Sequence, residues 1–108
     1  MTGLPVASRL GGLAVFDRGP VVLVRLVVVT PALLALHRAV AVAAGTGPEE
    51  KTAVGRWVPH VTLARRMPLD QLPTALAALA KQPHVDLPVT FEQVRRWDPD
   101  ARRTWLLG

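Results

Sequence analysis

Residues Val21–Ala44 read VVLVRLVVVTPALLALHRAVAVAA, and the hydrophobic period changes within them. Val21–Val29 is β-branched and apolar on both faces, interrupted only by Arg25. That pattern marks a central strand covered on both sides. Thr30 then offers a capping oxygen, and Pro31 suits a first helical position, whose N–H has no partner inside the helix. Leu33, Leu34, Leu36, His37, Val40 and Ala41 recur at helical spacing, so Thr30–Ala44 predicts a helix of about four turns packed on a sheet.

The flanking segments extend the pattern in both directions. Val6–Phe16 (VASRLGGLAVF) is strand-like in its second half, and Asp17–Pro20 (DRGP) reads as the turn of a hairpin leading into Val21. Gly45–Gly55 (GTGPEEKTAVG) is a polar loop with three glycines, expected to be the most mobile segment. Arg56–Arg66 (RWVPHVTLARR) is the next strand. In Pro68–Pro83 (PLDQLPTALAALAKQP) a second helix is expected, with Asp70 as N-cap, Pro73 tolerated in the first turn and Leu72, Leu76 and Leu79 as the buried stripe. Leu87–Trp97, a turn at Asp98–Arg103 and Thr104–Gly108 read as a closing hairpin. The order β-β-α-β-α-β-β predicts an α+β layer fold, a mostly antiparallel sheet with two helices on one face. The other face is then left to solvent, a ligand or another protein.

The 108 residues fit one domain, and half of them are apolar, which argues against bulk disorder. Without cysteine there are no disulfides or thiolate metal sites, in keeping with a reducing, cytoplasmic setting. Thirteen Lys and Arg against eight acids leave a net charge of +5. This surplus suits an anionic partner such as RNA or a nucleotide, and equally a basic solvated surface. Met1–Val6 lacks the charged and apolar regions of a signal peptide, and Val21–Val29 is too short to cross a bilayer as a helix, so no membrane partner is expected.

The chemistry centres on PHVTLAR, Pro59–Arg65. Side chains alternate along a strand, so His60, Thr62 and Ala64 share one face while Val61, Leu63 and Arg65 share the other. With Val61 and Leu63 packed under the helices, His60 and Thr62 point to the uncovered face, beside the space left by Ala64. An imidazole moves protons near neutral pH, and a neighbouring hydroxyl can hydrogen-bond a phosphoryl oxygen. Arg66 shares parity with His60, and a bulge would exchange it with Arg65; either guanidinium is then a substrate contact or a solvated strand end. Arg25 clamps phosphate if its face lines a cleft, and otherwise must snorkel or pair. Trp57, Trp97 and Trp105 read as core or interface packing ahead of the alternative, a base-stacking platform near a cleft. His37 reads as a half-buried packing residue of the first helix and His84 as a solvated loop residue.

PHVTLAR, on a strand between two helices, resembles the second histidine motif of the two-histidine phosphoesterases, the 2′-5′ RNA ligase-like family. TPALLALHRAV before it and VTFEQVRRWDPDARRTWLL after it are similar to the family's C-terminal lobe, so the resemblance runs from about Leu13 onward. It implies one lobe of a fold in which two α+β lobes face each other across a cleft and each donates a His-x-Thr or His-x-Ser. It also implies that one histidine acts as general base and the other as general acid, on 2′,3′-cyclic or 2′-5′ phosphodiesters of nucleotides or RNA, with no metal or other cofactor. Only His60 and Thr62 carry over as catalytic residues, with Arg65, Arg66 and Arg25 as substrate contacts. The sequence has a single His-x-Thr, so either the open reading frame begins midway or the protein works as half a family member. A homodimer through the open sheet face would supply the second histidine. The alternative is a non-catalytic nucleotide- or RNA-binding or interaction module.

Overall fold

A computed structural model describes residues 3–17, 19–82, 87–98 and 100–107. His84 lies outside the described residues. The elements are strands β1 (Val6–Asp17) and β2 (Val21–Val27), helix α1 (Pro31–Ala44), strand β3 (His60–Met67), a 3-10 turn at Leu69–Gln71, helix α2 (Leu72–Ala80), and strands β4 (Leu87–Phe91), β5 (Val94–Asp98) and β6 (Arg103–Leu107). The α+β class is as expected, but with a sixth strand. Leu87–Trp97 is two strands separated at Glu92–Gln93, where polar residues interrupt the apolar alternation. β4 joins the larger sheet, of order β3-β2-β1-β4, whereas β5 and β6 pair antiparallel by themselves.

β2 is the central strand its composition demands. Val21, Leu23 and Val27 are buried on one face and Val24 on the other, with Leu23 and Val24 at 2% and 0% exposure. Both of its neighbours run antiparallel to it. β1 is longer than expected because it continues through Gly11–Gly12. Between the pairs Leu10↔Val27 and Leu13↔Arg25 it carries one extra residue, a bulge. There the Arg25 Nη1 donates to the Gly11 carbonyl at 3.0 Å.

The chain divides into two compact units. One consists of Arg9–Val28 and Val58–Leu87, and so contains most of β1, all of β2 and β3, and α2. The other consists of Met1–Ser8, Val29–Trp57 and Pro88–Gly108.

In the second unit, α1 starts and stops where its sequence says. The Thr30 Oγ1 accepts from the Leu33 N–H at 3.1 Å, Pro31 opens the helix, and Gly45 ends it at φ 68°, where glycine carries no Cβ penalty. Leu33, Leu36, His37 and Ala41 form the buried stripe. The loop beyond it is anchored: Ala53 is buried, and Arg56 Nη1 donates to the Glu49 carbonyl at 2.8 Å.

The first unit corrects three expectations. Asp70 lies in the 3-10 turn and does not cap α2, whose N-cap Gln71 makes no side-chain capping bond. The inward row of α2 is Leu72, Ala75 and Leu79, all half-buried, while Leu76, 37% exposed, lies at the edge of that row. Val61 and Leu63, expected under a helix, are 39% and 44% exposed. Among the described residues no helix is long and apolar enough to cross a membrane.

Truncating Leu23 to Ala is expected to cost roughly 2–5 kcal/mol, as removal of a buried leucine from a closed core does. Leu76→Ala is expected to stay within about 1 kcal/mol. Urea denaturation midpoints of the two variants check the assignment; equal losses would contradict the burial described here.

Candidate active site

The polar face of β3 is set by its register against β2. Leu26↔His60, Arg25↔Val61 and Val24↔Thr62 are in step, and paired residues share a face. His60 and Thr62 therefore stand with Val24 and Leu26, and Arg25 stands with Val61 on the other side. Register then shifts twice. The pair after Val24↔Thr62 is Leu23↔Ala64, and the pair after that is Val21↔Met67. β3 thus gains one residue in each interval, and the first gain reverses its alternation. Arg65 is turned to the face of His60 and Thr62. Arg66 occupies the second irregularity with φ 52°, in the left-handed region.

The outcome is an open hollow of about 650 Å³ lined by Phe16, Pro20, Val22, His60, Thr62, Arg65 and Arg66. This is the size of an ordinary small-ligand cleft. His60, Thr62 and both motif-following arginines come together. Arg25 does not join them: its half-buried guanidinium is spent on Gly11, the pairing foreseen for a buried strand arginine. Among the described residues no three His, Cys, Asp or Glu side chains converge as a metal site.

His60 is exposed but oriented. Its Nδ1 lies 2.8 Å from the Val58 carbonyl. A carbonyl can only accept, so Nδ1 carries the proton and the neutral ring keeps its lone pair on Nε2. Phe16 meets the ring edge-on, with centroids 4.7 Å apart and planes at 85°. Such a contact adds about 0.5–1.5 kcal/mol to simple burial. Backbone supports the same point, since the Val27 N–H donates to the Pro59 carbonyl at 3.0 Å. Thr62 is half-buried beside it.

His37 shows the opposite arrangement. It is buried, stacks on Trp57 at 4.0 Å and 6°, and binds the Thr52 carbonyl through Nε2 at 2.7 Å. Its Nδ1 is buried with no partner among the described residues. It is a packing residue, as the helix pattern indicated. Trp57 is half-buried against it, whereas Trp97 and Trp105 are 56% and 39% exposed and neither belongs to the core.

Phe16, Pro20 and Val22 were not singled out by sequence reasoning. A signal for them existed in the hairpin itself: the turn after Phe16 sets it opposite Val22, on the face that β2 shares with His60 and Thr62.

The model of the 2′-5′ RNA ligase superfamily matches residues 4–103. The chain belongs to the 2′-5′ RNA ligase superfamily, and the match begins upstream of the segment whose resemblance the motifs carried. No curated protein and no solved structure matches it.

Because a left-handed arginine is strained, Arg66→Gly is expected to be neutral or stabilising by up to about 1 kcal/mol. Arg66→Val, β-branched at the same φ, is expected to lose more than about 1 kcal/mol. Chemical denaturation of the pair checks this; the reverse order would refute the left-handed backbone.

Proposed function

We propose that the hollow binds a nucleotide or RNA phosphodiester, cyclic 2′,3′ or linear 2′-5′, and that His60 moves a proton during its hydrolysis. The observation that carries this reading is the oriented imidazole: Nδ1–H is held by Val58, Nε2 has no hydrogen-bond partner among the described residues, and Thr62 stands one strand-step pair away on the same face. With a 2′,3′-cyclic phosphate, water attacks phosphorus, one P–O ester bond breaks, and the freed ribose oxygen takes a proton. Neutral His60 accepts the proton of water through Nε2; protonated, it gives one to the leaving oxygen. Thr62 donates its hydroxyl to a phosphoryl oxygen. Arg65 and Arg66 neutralise phosphate charge, for which the forked guanidinium is suited.

One histidine serves only one side of the reaction, and each general acid or base contributes roughly 10²–10⁴-fold. We propose that a two-fold homodimer supplies the other, each copy presenting its His60 across a shared cleft. Membership of the superfamily supports the substrate class. The single His-x-Thr in this sequence favours a second reading, a non-catalytic nucleotide-binding module.

Hydrolysis of 2′,3′-cyclic nucleotides, followed by chromatography of the monophosphate product, separates the two. The catalytic reading expects turnover that falls roughly 10²–10⁴-fold in His60→Ala. It also expects a smaller loss in Thr62→Val, which keeps the shape and removes the hydroxyl. Ligand binding without turnover, unchanged in His60→Ala, supports the module. Sedimentation with only monomer at micromolar concentration removes the homodimer.

A further inference from the structure

Two guanidiniums line the hollow, and among the described residues none that lines it is an acid. Among the described residues neither Arg65 nor Arg66 has a carboxylate partner. A single phosphodiester brings one negative charge, and the Thr62 hydroxyl already provides one donor for it. Two adjacent cations facing one anion leave charge unmatched.

The backbone sharpens the point. Of the two non-glycine residues with positive φ among the described residues, Arg102 lies in the turn between β5 and β6, where a left-handed residue is routine. Arg66 adopts φ 52° in the second irregularity of β3, a bulge position whose left-handed residue is usually a glycine. Strain of this kind persists where the surroundings impose it and collects at ligand sites. Its effect here is to keep Arg66 at the hollow when plain alternation after Arg65 would turn it away. From Thr62 to Arg66 the strand advances on the order of 10 Å, room for a second anion beside the first. Phe16, Pro20 and Val22 supply an apolar wall for a sugar or base.

Building on the phosphodiester reading above, we infer that the preferred substrate carries a second phosphate next to the reacting one, with Arg66 as its principal contact. The substrate is then the end of a phosphorylated nucleotide or oligonucleotide, and an unphosphorylated nucleoside cyclic phosphate is the poor substrate.

The test compares adenosine 2′,3′-cyclic phosphate with its 5′-phosphorylated form by kcat/KM. In parallel, calorimetry compares binding of adenosine 3′-phosphate with adenosine 3′,5′-bisphosphate. The second phosphate is expected to improve both by about tenfold or more, the size of one charge-assisted hydrogen bond. Arg66→Gly, which keeps the left-handed backbone and removes the cation, is expected to bring both ratios close to one, and Arg65→Gln provides a second variant. Equal values for the two ligands, with turnover still lost in His60→Ala, overturn this inference and leave the phosphodiester reading standing. Absence of both binding and turnover overturns both. A wild-type preference that persists undiminished in Arg66→Gly overturns the assignment to Arg66.

Discussion

The pairing of β2 with β3 is the constraint from which the site follows. β2 is buried on both faces, so its register is fixed by hydrocarbon and it cannot slide to suit a neighbour. β3 must absorb every mismatch, and it does so with two added residues between Thr62 and Met67. Ordinary alternation would place one of two consecutive arginines on each face. The irregular strand instead delivers both to the hollow that holds His60 and Thr62. The chemistry of the face is thereby purchased with local departures from an ideal ladder, made against a strand that does not yield.

The two described histidines illustrate how environment assigns role. Each bonds a backbone carbonyl, but through opposite nitrogens: His60 through Nδ1, His37 through Nε2. His60 lines an open hollow, whereas the remaining nitrogen of His37 is sealed from solvent. A base must reach a proton, so the first geometry permits transfer and the second permits only packing. The edge of Phe16 against one ring and the face of Trp57 against the other complete the contrast.

Much of this was legible in the sequence where local chemistry decides. Thr30–Pro31 and Gly45 bound α1 because capping is a matter of a few adjacent residues. The apolar run from Val21 named the central strand, and the HVT triplet named the polar face. Less was legible where partners decide. Gly11–Gly12 concealed the first half of β1, since a bulge leaves no apolar period. Simple parity assigned Arg65 to the wrong face, because the extra residues arise from matching β3 to β2 and have no signature in β3 alone. The leucine spacing of α2 pointed to Leu76, while the helix turned Ala75 inward, a choice made by what it meets.

β3 is a terminal strand of the four-stranded sheet, and its outer rim therefore offers backbone donors and acceptors to any extended segment that approaches. Two local kinks and a pair of adjacent cations make that rim a poor template, because an incoming strand finds neither an even ladder nor a neutral margin. The irregularity that equips the hollow is thus also of the kind by which edge strands discourage the side-by-side addition of further copies.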